Sequence, residues 1–567
     1  MAQSTTNRYN IEALVVGAGP TGMVMVSELK RHGMQCRIID RLPQPSQVSK
    51  ALGVQSRTLE LFEKMGVVDE FLDDGVKLDA MNIYSNNHRI AQIDMRYVSS
   101  RYPFMLSLPQ WETENILNAY LKRQAIEVER GVALTSLQQT RSGVDIVLEG
   151  TDGEQEQLRT RWLIGCDGPH STVRHQLGLS FEGSTFDQTF ALADVHMNYA
   201  IPPHQASFFW QGGDFIACLP LPHDQFRVLI GYRPQTGPDG DVTLEELQRV
   251  LDKCGLGLTD VRINDIVWSS RFFVNQRKVH HYRQGAVFLA GDACHIHSPI
   301  AAQGMNTGIQ DAFNLAWKLA LVSENKAQPC LLDSYEAERE RFGRQLLLGT
   351  NVFSHLALMQ GALSSRLRDS VTPLVTSNKR VGKQIATYIS QTGVSYHHSP
   401  VVREYQQEHL LTTLNEHLHA QSVHHRGERA PDMDICLGQM PTRLHTLCLG
   451  THHVLFFFAH REHPERSMQV WQEIDVLLRR KYSDLVDAFL IIPRPPTPID
   501  SVHAHTIYDQ GEAIYTEYGI TDDGLVLVRP DGYIAFRCCP VSLERFQSYL
   551  DSIFVVAQTQ ADQHSYV

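Results

Sequence analysis

Residues 12–41 constrain the fold more than any other stretch. The apolar run 13–16 reads as a buried parallel strand that turns through Gly17-x-Gly19-x-x-Gly22 into a helix ending near His32 and Gly33. A second short strand, 36–39, then delivers Asp40 and Arg41. Each glycine has a physical reason at this spacing. Gly17 permits the tight turn, Gly19 lets backbone approach a pyrophosphate, and Gly22 lets helix and strand pack closely. Pro20 and Thr21 fall inside this turn, where the free amides and positive dipole end of the helix favour phosphate. Asp40, about twenty residues on, is placed to accept from a ribose hydroxyl. Strand, turn, helix, strand and acid in register predict a dinucleotide site rather than a glycine-rich turn of some other α/β domain.

The remaining chain has to say which dinucleotide and what chemistry. Its 567 residues allow two to four domains. With 43% hydrophobic and 20% charged residues the composition is that of a soluble globular protein. A net charge of −12 argues against nucleic acid or an anionic membrane as the main partner. The longest apolar helix-like stretch, 309–322, carries Asp311, Asn314 and Lys318 and is too short to span a bilayer. The first eleven residues lack a basic region followed by an apolar one, so no secretory leader is expected. Ten cysteines show no CxxC and no metal-ligand spacing, and 27 histidines contain no HExxH, so a reducing cytoplasm and no metal are expected.

Helical spacing predicts a helix over 56–64, and Leu108-Pro-Gln110-Trp-Glu112 leads into a helix that runs to about Arg123. Segments 133–148 and 157–164 alternate as paired strands and end in Gly165-Cys166-Asp167-Gly168. Between 183 and 275 several alternating segments separated by Gly-rich turns predict a mostly antiparallel sheet, a layer of its own. Phe208 and Trp210 share one face of it, as do Arg227 and Leu229. These are an aromatic substrate wall with one cation, or ordinary sheet core. Another buried strand ends in Gly291-Asp292, and a loop then opens a helix carrying Ile309, Ala312, Phe313, Ala316 and Ala320 on one face. A charged helix follows near 335–341, and 375–425 reads as a connector with helical pieces. The last segment has strands at 453–458, 488–492, 525–528 and 533–537, with helices near 466–480 and from Ser542.

Three pieces, Gly17-x-Gly19-x-x-Gly22 with Asp40-Arg41, Cys166-Asp167-Gly168-Pro-His-Ser171-Thr-Val-Arg174, and Gly291-Asp292-Ala293, occur in an order that resembles the group A flavoprotein monooxygenases, the single-component FAD-dependent aromatic hydroxylases. The resemblance runs from residue 12 to about 345. Gly427-Glu-Arg-Ala-Pro431-Asp and Leu527-Val-Arg529-Pro530-Asp531-Gly532 look like the thioredoxin-like C-terminal domain of the phenol-hydroxylase branch.

The resemblance implies an α/β protein. A Rossmann-like FAD-binding domain (1–182 and 276–374) would carry the inserted antiparallel substrate sheet (183–275). A connector (375–425) and a thioredoxin-like domain without CxxC (426–567) would follow. It implies FAD as cofactor, with NADPH or NADH as transient electron donor, since no second nucleotide motif is present. Asp292 would face a ribityl hydroxyl. The loop through Pro299 would open a helix at Gly304, Met305 and Asn306 whose amides point at the isoalloxazine. Gln110 would contact flavin and Arg41 the adenosine half, or be a strand-end amide and a surface cation. Asp167 and Arg174 would serve FAD and passing NAD(P)H, unless Arg174 pairs with a nearby acid. His295 and His297 lie near the flavin loop as proton relays, so His295 and Pro299 are the catalytic candidates.

The expected reaction uses NAD(P)H and O2, through a C4a-hydroperoxyflavin, to hydroxylate a small phenolic substrate. A polyketide or antibiotic substrate, or a flavin-binding protein without turnover, are the alternatives. A homo-oligomer is expected. Two departures stand out: Leu52 lies where phenol hydroxylases place an aspartate, and Lys50 where many relatives have arginine. Leu52 puts the phenol-deprotonating carboxylate in doubt.

Overall fold

The computed structural model describes residues 10–45, 51–85, 88–198, 202–211, 214–232, 240–253, 261–296, 302–357, 378–406, 424–437, 440–493, 505–509 and 511–556. The chain divides into two compact units. The first holds residues 1–30, 34–313 and 339–392, the second 31–33, 314–338 and 393–567.

At the centre of the first unit the strand Ile11–Val16 is flanked in parallel by Gln155–Gly165 and Cys36–Asp40. Val287–Leu289 and Val128–Arg130 extend the parallel sheet on either side. Ala13, Leu14 and Val15 are wholly buried, as a near-continuous apolar run requires of a strand covered on both faces. The helix Pro20–Arg31 follows the glycine turn.

A second, eight-stranded sheet runs in the order His295–Ile296, Arg262–Lys278, Glu182–Asn198, Gln225–Gly231, Asp214–Pro220, Gln205–Gln211, Ala80–Ser85, His88–Asp94. Every neighbouring pair is antiparallel except Gln205–Gln211 with Ala80–Ser85. One face presents Phe190, Leu192, Trp210, Phe215 and Leu229. The other, with Val195, Phe209, Ile216 and Val228, packs under the helix Leu244–Lys253. The sheet is wider than the segment 183–275. Strands 80–94 supply its far edge, and Arg262–Lys278 runs past residue 275. Alternation marks these segments as strands but carries no information about which open edge each one will pair with.

In the second unit a mixed sheet sets His453–Phe458 beside Val486–Ile492 in parallel and beside Gly524–Val528 antiparallel. Phe456, Phe458, Tyr515, Tyr518 and Val526 form its core. This is the thioredoxin-like arrangement. A fully buried charge cluster sits in the same unit: Glu338 receives Arg529 at 2.7 Å and Lys318 at 2.9 Å, and Asp531 pairs with Arg529. No helix among the described residues is long and apolar enough to cross a membrane.

Candidate active site

The glycine turn is built as its spacing requires. Gly17 has φ +100°, and a Cβ there would lie 2.4 Å from the Cys166 carbonyl oxygen. A Cβ on Gly22 would sit 1.9 Å from the Gly17 oxygen. Gly19 differs: its Cβ would meet nothing within 4 Å, which leaves the backbone open where a pyrophosphate would lie. Asp40 accepts from the Ala18 amide at 2.7 Å and the Leu42 amide at 2.8 Å. An ionised carboxylate has about four lone-pair sites, so capacity remains for a ribose hydroxyl. Arg41, beside it, is exposed. Pro20 is buried, and Thr21 packs where the chain closes: a Cβ added to Gly291 or to Gly308 would fall 2.7 or 2.2 Å from its Oγ1. Three separate segments thus converge on one turn.

Gln110 is the first residue of the helix Gln110–Arg123. Its side chain accepts from the Ala51 amide at 3.2 Å and donates to Glu114 at 2.9 Å. Burial lifts the Glu114 carboxyl above its ordinary value, against the lowering effect of Gln110. Asp167 accepts from the Ser171 hydroxyl and the Thr172 amide at 2.5 and 2.7 Å, capping the short helix Thr172–Gln176. Burial also raises its carboxyl. Arg174 is buried and turned inward. It donates to the Ala293 and Pro169 carbonyls at 3.0 and 2.8 Å and lies 3.9 Å from the centre of the Phe181 ring. These contacts make it a tie between the Asp-Gly segment and the Gly291–Ala293 turn.

That turn exposes Asp292, while Gly291 donates to Asp311 at 2.9 Å. Asp311 also holds His295 Nε2 at 2.7 Å and Arg339 at 2.6 Å, all wholly buried. Burial pushes the Asp311 carboxyl up, but Arg339 and His295 outweigh it and hold it at about 2. His295 therefore works from the interior, fixing the Gly-Asp turn. Cys294, His295 and Asp311 come within 4.8 Å of one another, and the Arg339 guanidinium supplies the positive charge at that cluster. Sequence reasoning missed Asp311 and Arg339, which sat inside apparently ordinary helices. Pro299 and His297 lie outside the described residues.

The helix Gly304–Ser323 begins at the third expected group of cofactor residues. A Cβ on Gly304 would meet nothing within 4 Å, and Met305 is half-buried beside it. Asn306 is buried and acts as a clamp. It donates to the Gly53 and Ala302 carbonyls, each at 2.8 Å, and accepts from the Gln55 amide at 2.9 Å.

Phe208 and Trp210 belong to the apolar face of the large sheet, Phe208 stacking on Phe215 at 6.1 Å. Ala302 and Met105 pack against the same face. Arg227 is paired with Asp194 through two bonds of 2.7 and 2.8 Å, donates to the Ala51 carbonyl at 3.2 Å, and lies 5.9 Å from the Trp268 ring centre. The lone cation read from alternation is thus half of a buried ion pair. Asp194 stands directly across from Arg227 on the neighbouring strand, a partnership that appears only once the two strands are in register.

The open backbone at Gly19 and Gly304, the Asp40 carboxylate at the turn and the exposed Asp292 fit an extended flavin dinucleotide. Bound there, FAD would supply the redox chemistry. Relatives of known type agree. A family model described as FAD binding domain matches residues 10–350, and one described as aromatic-ring hydroxylase, C-terminal, matches 424–555. The chain belongs to the FAD-dependent aromatic-ring hydroxylases and is a flavin monooxygenase. Pentachlorophenol 4-monooxygenase of Sphingobium chlorophenolicum is 30% identical over 92% of this chain and 93% of its own. A 12-dehydrotetracycline 5-monooxygenase/anhydrotetracycline 6-monooxygenase of Streptomyces rimosus is 30% identical over 94% and 96%. Among solved structures, an anhydrotetracycline hydroxylase from Streptomyces rimosus superposes with TM-score 0.72 at 29% identity, over 96% of this chain and 100% of that one. The fold is also that of aklavinone-11 hydroxylase solved with FAD and aklavinone (TM-score 0.71, 22% identity, 96% and 99% covered).

Proposed function

We propose that the enzyme hydroxylates an electron-rich, phenolic ring, taking electrons from NADPH or NADH and one oxygen atom from O2. The observation that carries this reading is the apolar, aromatic face bearing Phe208, Trp210, Leu219 and Trp268, against which Ala302 packs just before the helix start at Gly304. A flat apolar ring held there would lie beside amides that stabilise negative charge on a reduced flavin. The sheet excludes water and orients the ring, while Asp292, Asp40 and Gly19 hold the cofactor. Nicotinamide would meet the flavin transiently on the side of Asp167, with Arg174 fixing the loop rather than reaching the donor. The residues 426–567, lacking CxxC, would serve packing or self-association in a homo-oligomer.

The test is turnover of purified holoenzyme with NADPH or NADH, 18O2 and a phenol panel that includes pentachlorophenol and anhydrotetracycline, compounds acted on by the relatives. Incorporation of one labelled oxygen coupled to NAD(P)H oxidation is expected. Oxidation that yields only hydrogen peroxide with every phenol would sink the reading. Turnover confined to anhydrotetracycline would favour a polycyclic polyketide substrate, a reading supported by the nearly full-length match to the tetracycline enzymes.

A further inference from the structure

The helix Lys379–Ile389 falls in the segment read from sequence as a connector, yet it packs as a wall. Its residues Ile385, Ala386 and Ile389 join the apolar cluster of Trp210, Phe215 and Leu229, the proposed ring-binding face. Asn378 caps its start, accepting from the Arg380 amide at 2.9 Å. Its end is unusual. Ser390 is the cap, and Gln391 follows at φ +59°, the left-handed position where glycine commonly closes a helix. A residue with a Cβ adopts that conformation at a conformational cost, so its side chain has to offset it.

Gln391 is buried, and both ends of its amide are engaged. Its Oε1 accepts from Gln310 Nε2 at 2.6 Å. Its Nε2 donates to the Thr307 hydroxyl at 3.1 Å and the Gln303 carbonyl at 3.4 Å. Gln303 in turn donates from its own Nε2 to the Tyr388 carbonyl at 3.3 Å. Residues 303, 307 and 310 are at helical spacing, on one side of the start of the helix Gly304–Ser323. Asn306 ties the same turn to Gly53 and Gln55. All of these residues belong to the first compact unit. One amide thus joins the wall of the ring-binding face to the helix start assigned to the flavin.

We propose that Gln391 is a positioning residue for oxygen transfer: it sets the helix start at Gly304 against the wall of the ring-binding face, and so fixes the distance between ring and cofactor. It touches neither. Reacting atoms must come within about 3–3.5 Å, and a misplacement of about 1 Å can cost roughly a hundredfold in rate. Electrons that fail to reach the ring leave as hydrogen peroxide. The inference rests on the phenolic reading and the flavin placement above, and adds the residue that keeps the two in register.

The test measures coupling, hydroxylated product formed per NAD(P)H oxidised, in full-length FAD-loaded enzyme with a phenol of the panel that wild type hydroxylates. Gln391→Gly removes the bridge while suiting the left-handed backbone, and Gln310→Leu cuts it from the other helix. Leu251→Ala, which opens the core under the opposite face of the large sheet, is the control for stability. Both bridge variants should retain FAD and bind the phenol, while coupling falls by about tenfold and hydrogen peroxide rises to match. Leu251→Ala should lower Tm with coupling unchanged. Unchanged coupling in either bridge variant would overturn the role of Gln391 and leave the phenolic reading intact. An equal fall in Leu251→Ala would show that coupling merely follows stability, and would overturn it as well. Should one bridge variant fail to fold, the other decides; loss of FAD or of soluble protein in both would assign the bridge to the fold and overturn the role equally. Failure of wild type to turn over any phenol of the panel would remove the phenolic reading and the proposal with it.

Discussion

Individual residues in this site divide into those that face the ligand and those that hold them in place. Asp292 is exposed at the end of its turn, so Asp292→Ala should weaken FAD retention by about 1.5–3 kcal/mol through loss of a charge-assisted hydrogen bond. Flavin fluorescence on dilution measures it, and unchanged retention would remove Asp292 from the site. Arg227 belongs to the second kind. Arg227→Met strands a buried Asp194 and should destabilise by about 3–5 kcal/mol, with most of the loss recovered in Arg227→Met/Asp194→Leu. Urea unfolding of the single and double variants distinguishes this from a substrate contact, which the second change would not restore. Asp311 makes the site acid-sensitive. Its carboxyl is held at about 2 in the folded protein against an ordinary 3.8, so its stabilisation is complete above 3.8 and lost as pH falls through about 2. FAD release followed down in pH should show a step in that window, and Asp311→Asn should abolish the step.

At the scale of elements, the helix Gly304–Ser323 is set by one side chain. Asn306 joins its first turn to Gly53 and Gln55 by two buried bonds and to Ala302 by a part-buried one. Asn306→Ala leaves those backbone groups unpaired and should cost about 2–4 kcal/mol. The loss should appear in thermal unfolding and, on the proposed placement of the flavin at the helix start, also as weaker FAD binding. A variant with normal flavin affinity and only a lowered Tm would show that the clamp is structural alone. Much of this level was legible in advance. The helices from Ser56 and Gln110 and the strand His453–Phe458 follow from local sequence pattern. The helix Leu244–Lys253 and the far edge of the large sheet did not, because pairing partners are set by tertiary contact.

For the whole molecule, the buried cluster of Lys318, Glu338, Arg529 and Asp531 decides how the chain tolerates truncation. A chain ending before residue 424 loses Arg529 and Asp531, and so leaves the buried Glu338 carboxylate with Lys318 as its one remaining paired cation among the described residues. Such a truncation should be recovered mainly as insoluble protein, although every flavin motif precedes it. Replacing the pair as Lys318→Met/Glu338→Leu in the truncated chain should restore part of the soluble, yellow fraction, since removing both charges removes the desolvation cost. Recovery of soluble FAD-loaded protein from the unaltered truncation would show that the cluster is dispensable.

The amino-acid order alone determined the dinucleotide turn, its terminal acid and the family-wide order of motifs. Those features are local: a φ that only glycine adopts easily, a helix start, an acid at a strand end. The tertiary structure alone decided what each polar candidate does. Arg174, Arg227 and His295 each sit where a sequence suggests a ligand, and each is turned to a carbonyl, an aspartate or a buried carboxylate. The reason is physical: a buried polar or charged group must find a partner, and where that partner is distant in the chain, as Ala293 is from Arg174 and Asp194 from Arg227, only the packed fold brings the two within reach.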